Sequence, residues 1–238
     1  HGDLGTSYAQ HRGVIELMGR ALGVTAKLSG LAYLLSLAIG LVFGVVSAVN
    51  RGKAADRILM ALSIFGISAP AFWVAIILQI VFAMNLHWLP LSGVRTAACF
   101  VLPVIALGTR YAASIARVTR TAMLEVLNQD FMRTAEAKGL AKWVVIIKHG
   151  LRNALIPIIT IAGTQLGQIL TGSILIESVF SMPGIGKLLL DAIQARDLPL
   201  IQGGVMYIAL ICVIVYLLVD ILYAVVDPRI RLGGGAEE

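Results

Sequence analysis

The stretch Arg133-Thr134-Ala135-Glu136-Ala137-Lys138-Gly139-Leu140 interrupts a chain that is otherwise strongly apolar. Of its 238 residues, 58% are hydrophobic and only 13% are charged, whereas soluble domains carry roughly 25% charged residues. The mean hydropathy of +0.89 also excludes a soluble globular domain. We therefore expect a polytopic membrane protein in which this charged stretch lies outside the bilayer, within reach of a soluble partner.

Five apolar runs are long enough to cross a bilayer, which takes about 20 helical residues. They cover Val24–Val49, Ile58–Met84, Val101–Leu127, Ala154–Ile176 and Leu200–Val226. The predicted fold class is all-α, a polytopic transmembrane helical bundle with five visible spans. An odd number of spans places the two visible ends on opposite sides of the membrane.

The distribution of Lys and Arg gives the orientation, because basic residues are retained in cytoplasmic loops. One side receives the Asn50–Arg57 loop, the Arg117–Arg152 region and the tail residues Arg229 and Arg231. The other side has fewer basic residues over longer segments, namely Arg12, Arg20, Lys27, Arg95, Lys187 and Arg196. We predict an external amino terminus and a cytoplasmic carboxyl terminus. Nucleic-acid binding is not expected, since no basic run interleaves with aromatic residues.

Between the spans the chain divides into segments of different character. Residues 1–23 are predicted to form an external amphipathic lead-in at the membrane surface, and residues 24–231 the transmembrane domain. Within that domain lie a cytoplasmic loop, 128–153, and an external loop, 177–199, that folds back toward the bundle because Pro183-Gly184 breaks the chain direction. Residues 232–238 form a cytoplasmic tail.

The cytoplasmic loop has the pattern of two short helices joined by a bend. Gly139 permits a tight turn, and Pro157 is expected near the first turn of the following span. On a helical wheel one face is apolar, formed by Leu140, Trp143, Val144, Ile147 and Leu151, and the opposite face carries Lys138, Lys142, His149 and Arg152. Such a helix could fill a groove on another protein or lie flat on the membrane surface; periodicity leaves both possibilities open.

The stretch Arg133–Ile161 resembles the cytoplasmic "EAA" coupling loop of bacterial ABC importer permeases. In the general motif a Glu-Ala-Ala triplet precedes a glycine by a fixed number of residues. Here Arg133-Thr134-Ala135 occupies the place of that triplet relative to Gly139. This departure is similar to the variant in the dipeptide/oligopeptide/nickel permease family. Pro157 comes later than the proline of the general motif, so the second half of the motif is not carried over by position.

Other segments resemble the same family in the same order. They are Gly2-Asp3-Leu4-Gly5, Ala116–Arg120 with Met123–Leu127, Glu177–Pro199 and the terminal Asp227-Pro228-Arg229-Ile230-Arg231. The first and last of these resemble the B-type permease of the pair. Family members have six helices in the type I importer arrangement, so the family's first helix is expected to be missing before His1.

The resemblance implies a function and a set of partners. It implies the non-catalytic permease subunit of an ATP-driven, binding-protein-dependent importer of di- or oligopeptides, or of a related ligand such as nickel, in the bacterial cytoplasmic (inner) membrane. The partners would be two cytoplasmic ABC ATPase subunits, a second, C-type permease, an extracytoplasmic binding protein and membrane lipid. ATP and Mg would be bound by the partner subunits, with no cofactor on this chain.

The resemblance also implies which residues couple the chain to the ATPases. In the motif these are Arg133, Thr134, Ala135, Glu136, Ala137, Lys138, Gly139 and Leu140, with Trp143 and Ile147 as apolar anchors. For Arg133 and Glu136 the alternative is a local ion pair at i,i+3, which contributes only a few tenths of a kcal/mol.

Four polar residues inside the apolar runs are candidates for a translocation pathway. Arg110 lies well inside the third run, where a charge indicates a cavity or a partner, although snorkelling remains open. Gln165, Gln168 and Thr171 recur along the fourth run and predict either a polar lining or interhelical hydrogen bonds. The repeated glycines Gly40 and Gly44 predict close helix packing.

Several other classes of protein are disfavoured. Gly184-Ile185-Gly186-Lys187 lacks the first glycine of a phosphate loop and has Leu188 where Ser or Thr should follow. The histidines are scattered and form no HExxH motif, and Cys99 and Cys212 are expected to be free, buried thiols. The main rival is a secondary transporter or channel driven by an ion gradient, but the paired intramembrane acids and internal repeats typical of that class are not evident.

Overall fold

The computed structural model describes residues 4–226, apart from the side chains of residues 220 and 222–226. The helices are α1 Val14–Val49, α2 Ala54–Ser68, α3 Ala71–Leu78, α4 Ala98–Leu127, α5 Asp130–Ala137, α6 Lys142–Val144, α7 Arg152–Val179, α8 Ile185–Gln194 and α9 Leu198–Val226. Two π-helical stretches, Gln79–Asn85 and Val145–Leu151, extend α3 and join α6 to α7. Gly2, Asp3, the Asp227–Arg231 segment and the predicted tail 232–238 lie outside the described residues.

Four continuous helical segments of this part of the chain are long and apolar enough to cross a membrane: α1, α4, Lys142–Val179 and α9. The second predicted run, Ile58–Met84, is bent rather than one straight helix. It folds as α2 and Ala71–Asn85, which meet at an angle of 103°. The break falls at Ala69-Pro70, because the residue before a proline is forced out of the helical conformation. Counting this bent pair as one span gives the five predicted crossings.

Helix α1 begins earlier than its apolar run suggests. The helix starts at Val14 and runs for 36 residues, which corresponds to about 54 Å. It therefore includes the last ten positions of the predicted lead-in, 14–23, and only residues 4–13 form a separate turn. Because a bilayer's hydrocarbon core is about 30 Å thick, α1 is longer than one perpendicular crossing requires.

Helices α1 and α4 pack closely along their length through small residues. A Cβ placed on Gly40 would lie 2.6 Å from Ile115 Cβ, and one on Gly44 would lie 2.4 Å from Thr119 Cβ. Both pairs are 75 residues apart, so the two helices run parallel in a constant register. The packing role predicted for Gly40 and Gly44 is confirmed, and α4 is thereby fixed in the centre of the bundle.

A polar network fixes the end of the bundle that is predicted to be cytoplasmic. Arg120 of α4 donates two hydrogen bonds to the buried carboxylate of Asp56, from Nε at 2.7 Å and from Nη2 at 2.8 Å. Ser47 at the end of α1 also contacts this carboxylate, and the Gly52 N–H donates to it at 2.9 Å. The network ties α1, the following turn, α2 and α4 together, so the loop 128–153 that follows α4 begins at a fixed part of the bundle.

A second network fixes the opposite end and holds the external loop. The Glu177 carboxylate is fully buried and accepts hydrogen bonds from Thr25 at 2.7 Å and from Ser173 at 3.0 Å. It also accepts one from the Gly186 N–H at 2.8 Å, in the first turn of α8. A carboxylate is well placed there, because the first N–H groups of a helix have no intrahelical acceptor. The loop is thus a fixed part of the bundle.

Candidate coupling loop and translocation cavity

The cytoplasmic loop consists of two helical pieces and a sharp turn, as predicted. Helix α5 ends at Ala137, where the Lys138 N–H donates to Thr134 O at 3.1 Å and the Gly139 N–H donates to Glu136 O at 2.9 Å. Gly139 has φ +74, a left-handed conformation that residues with a Cβ adopt only at a cost. The bend at Gly139 is therefore a property of its backbone, and α6 begins three residues later at Lys142.

The loop has a small apolar core of its own. Met132 and Ala135 of α5 and Val145 of the π-helical stretch are buried together against Val126 and Leu127 at the end of α4. Gly150 also packs closely beside this core, since a Cβ there would lie 3.2 Å from Met123 Cε and 3.6 Å from Met132 Cε. This core fixes the loop against the bundle, so its outer residues are presented on a firm support.

The predicted apolar face divides differently in the structure. Leu140, Trp143 and Ile147 are exposed, at 41%, 70% and 49% of their full accessible area. Val144 and Leu151 are half-buried, and the buried position is Val145, which the helical wheel left off this face. The wheel was wrong because residues 139–141 are not helical and the stretch Val145–Leu151 is π-helical, so the ideal angle of 100° per residue does not apply.

The motif residues are also not equivalent. Ala135 is buried in the loop core, because the spacing i to i+3 from Met132 puts both residues on the inner face. The others, Arg133, Thr134, Glu136, Ala137, Lys138 and Gly139, are exposed. Among the described residues Arg133 makes no ion pair with Glu136, which was the alternative to a coupling role for these two residues; Arg133 instead lies 3.8 Å from Asp130. Both groups are highly exposed, and the pair contributes little to stability.

Pro157 does not mark the start of the fourth span. The helix is continuous from Lys142 to Val179, so this proline lies in its interior. The irregular part of this helix is the π-helical stretch Val145–Leu151. It connects the loop to the membrane-spanning part of the helix. π-Helical turns inside helices are often found at functional sites.

The bend between α2 and α3 helps to form a cavity of about 400 Å³ against α4 and α7. It is lined by Pro70, Phe72, Arg110, Tyr111, Gln168 and Thr171, among others. Three of the four predicted pathway residues, Arg110, Gln168 and Thr171, are therefore brought together. The Tyr111 hydroxyl donates to Gln168 O at 2.9 Å and fixes α7 beside α4. The sequence analysis missed Tyr111 and the bend, although Pro70 within an apolar run signals the break.

Gln165 does not line this cavity. Its side chain is buried, and no hydrogen-bond donor among the described residues reaches its Oε1. At 100° per residue, positions 165, 168 and 171 rotate progressively around a helix, so a stripe of this spacing turns away from a single cavity. The polar lining is thus limited to Gln168 and Thr171 on α7, with Arg110 opposite them on α4.

The remaining sequence predictions concern thiols and metal ligands. Cys99 and Cys212 are free; Cys99 is buried as predicted, whereas Cys212 is only partly buried. Within residues 4–226, no three His, Cys, Asp or Glu side chains come together in a group that could hold a metal ion. The buried carboxylates Asp56 and Glu177 are satisfied by the networks at the two ends of the bundle.

Comparisons with known proteins agree with this architecture. Residues 40–232 match the family described as "Binding-protein-dependent transport system inner membrane component". The chain is 44% identical to the glutathione transport system permease protein GsiC of Pectobacterium atrosepticum over 97% of this chain and 75% of that protein. It is 41% identical to the dipeptide transport system permease protein DppB of Alkalihalophilus pseudofirmus, over 97% of this chain and 78% of that protein.

A solved structure shows the same fold at lower sequence similarity. An inward-facing form of the MetNI methionine ABC transporter superposes with a TM-score of 0.73, covering 90% of this chain and 97% of that chain at 18% identity. The chain belongs to the family of inner-membrane components of binding-protein-dependent transport systems, in which it is a membrane-spanning permease subunit. The rival hypothesis, a gradient-driven transporter or channel, is not favoured.

Proposed function

We propose that this chain forms half of the pathway of an ATP-driven importer of small peptides, and that its loop 128–153 transmits the motion of a cytoplasmic ATPase to the bundle. The importer would contain two ATPase subunits that bind ATP and Mg, a second permease of the C type and an external binding protein. Import of peptides is supported by relatives named for glutathione and for dipeptides at more than 40% identity.

The observation that carries the coupling proposal is the contrast between the two faces of the loop. Its inner face is a packed core of Met132, Ala135 and Val145, whereas Trp143 projects with 70% of its area exposed. Large aromatic residues that stand free on a rigid support are typical anchors of protein interfaces. Arg133, Glu136 and Lys138 are exposed on the same loop, and interfaces commonly have a polar, charged rim.

Replacing Trp143 with Ala tests the anchor. Loss of a central interface anchor costs about 2 kcal/mol or more, which corresponds to roughly thirtyfold weaker binding. We expect the purified permease to bind the ATPases that much more weakly, measured by titration in detergent. Trp88, in the loop between Asn85 and Ala98, is equally exposed at 70%, and Trp88→Ala should leave ATPase binding unchanged. Equal binding by Trp143→Ala and the unchanged chain would contradict the proposal.

A second experiment tests the loop as a unit. Residues Arg133–Leu151 are replaced by a flexible Gly/Ser linker, and bound proteins are identified after purification in detergent. The proposal expects two ATPases and a second permease to accompany the intact chain, and only the ATPases to be lost with the linker. If the intact chain purifies alone, the loop is a membrane-surface helix and the importer proposal fails.

Gly139→Val tests whether the bend transmits motion. A β-branched residue at φ +74 is strained by about 1–2 kcal/mol or more, so the bend should relax and α6 should be reoriented. We expect membrane insertion to be normal, ATP hydrolysis to continue and peptide uptake to be lost. Gly139→Asn is the matched control, because Asn tolerates the left-handed conformation. Normal stimulated uptake by Gly139→Val would count against the coupling role.

A further inference from the structure

We propose that Arg110 is a substrate-binding residue that pairs with a carboxylate of the peptide as it passes through the cavity between α3, α4 and α7. This inference rests on the proposed import of peptides and names the chemical group that the permease itself recognises. Its structural basis is a guanidinium that faces a cavity with polar neighbours and has no counter-ion among the described residues.

Arg110 lies deep in the membrane-spanning part of the bundle. It follows the start of α4 at Ala98 by twelve residues, which corresponds to about 18 Å along the helix. Helix α4 has 30 residues, so Arg110 lies near the middle of this membrane-spanning helix. A charged side chain at that depth is costly unless it faces a partner, a ligand or a water-filled cavity.

The part of the chain that the structure describes supplies no acid for Arg110. Its side chain makes no ion pair there, and the buried carboxylates Asp56 and Glu177 are occupied at opposite ends of the bundle. Arg120, on the same helix, has the opposite arrangement, since it is paired in a bidentate manner with Asp56. Helix α4 thus pairs Arg120 with an acid and leaves Arg110, among the described residues, without one, so that the guanidinium donors of Arg110 can serve a ligand.

The surroundings of Arg110 fit a small ligand that carries a carboxylate. The cavity of about 400 Å³ falls within the usual range of roughly 300–1,000 Å³ for small-molecule sites. Gln168 and Thr171 face it from α7, and Phe72 and Leu175 provide apolar surface. An arginine fork matches a carboxylate in bidentate geometry, and every linear peptide with a free carboxyl terminus carries one.

The test measures direct binding to the purified permease pair with its ATPases, without the binding protein, by ligand-observed NMR. Two pairs of probes are compared: dialanine against dialanine amide, and glutathione against glutathione diethyl ester. In each pair the first compound carries the free carboxylate and the second does not. We expect the unchanged complex to prefer each free acid, and Arg110→Gln to reduce that preference by at least roughly fivefold. Arg110→Lys should retain part of it, since the charge stays. Equal binding of acid and neutral probe by the unchanged complex would overturn the inference.

Two controls test whether the preference for the acid arises at Arg110 itself. Arg117 lies seven residues further along α4 and is exposed, and Arg117→Gln should keep the preference for the acid; an equal loss would point to a general positive field and overturn the assigned role. If Arg110 paired instead with an acid of the partner permease, Arg110→Gln would reduce co-purification of that subunit and the inference would fail. Absence of ATP-driven peptide uptake by the unchanged complex would instead refute the proposed function.

Discussion

At the scale of single residues, charged side chains of this bundle differ in whether a neighbouring helix supplies a counter-ion. Asp56 has only 6% of its side chain exposed and is saturated by Arg120, Ser47 and the Gly52 backbone. Arg110 sits on the same helix as Arg120 but has no such partner within the described residues. The same side-chain type therefore serves stability at one position and is available for a ligand at the other, and the difference lies in what the neighbouring helices supply.

Removing the Asp56 charge should strongly destabilise the bundle. Asp56→Asn leaves the Arg120 guanidinium, which is 27% exposed, without its counter-ion, and breaking a buried pair from one side costs about 3 kcal/mol or more. We expect a clear fall in the melting temperature of the detergent-purified protein. Asp130→Asn is the control, because Asp130 is 98% exposed in its pair with Arg133. Similar melting of both variants would show that the network adds no stability.

Asp197 connects the first turn of the chain to the start of α9 and makes a pH-dependent contribution. Burial raises the pKa of this carboxylic acid, but hydrogen bonds from Ser7 and from the backbone of Ala9, Tyr8 and Leu200 outweigh burial, so its pKa lies below the ordinary value. A group whose pKa is lowered by folding stabilises the protein above its unfolded pKa, about 3.9. That stability is lost as the pH falls through the lower folded pKa.

The expected result is a stability difference that disappears in acid. Asp197→Asn should melt at a lower temperature than the unchanged chain at pH 6, and the two curves should converge as the pH is lowered below about 4. Thermal unfolding in detergent at a series of pH values measures this. Asp191→Asn, which removes only an exposed pair with Lys187, should show no such convergence. A constant difference down to the lowest pH would contradict the assignment.

At the scale of elements, irregular helical geometry marks the parts with a proposed function. The break at Ala69-Pro70 opens the cavity beside Arg110, and the stretch Val145–Leu151 carries the helix from the coupling loop into the span. Regular helices, in contrast, form the support: α1 and α4 run in fixed register because Gly40 and Gly44 let their backbones approach. In lipid, close packing of this kind replaces the hydrophobic drive that would join helices in water.

At the scale of the whole molecule, the two hydrogen-bonded networks define two ends. Asp56 and Arg120 lie at the end that carries the coupling loop, and Glu177 and Asp197 lie at the end that carries α8. Basic residues are concentrated at the first end, in the segments Asn50–Arg57 and Arg117–Arg152. This arrangement supports the predicted orientation, with the coupling loop in the cytoplasm.

Single-cysteine labelling tests this orientation. With Cys99 and Cys212 replaced by Ala, the variants Ser92→Cys and Lys53→Cys each present one exposed thiol. In spheroplasts, a membrane-impermeant maleimide should label position 92 at once and position 53 only after the membrane is permeabilised. The reverse pattern would invert the topology and would place loop 128–153 away from any cytoplasmic ATPase.

The sequence alone determined the class of the protein, its all-helical fold and the bend at Gly139. These follow from composition, from run length and from the backbone freedom of glycine, which are local properties. Only the tertiary structure decided that Ala135 and Val145 face inward, that Asp130 rather than Glu136 pairs with Arg133, and that Gln168 joins Arg110 while Gln165 does not. Helical wheels assume a uniform rotation of 100° per residue, and a cavity depends on where separate helices break and meet, so these outcomes required the packed bundle.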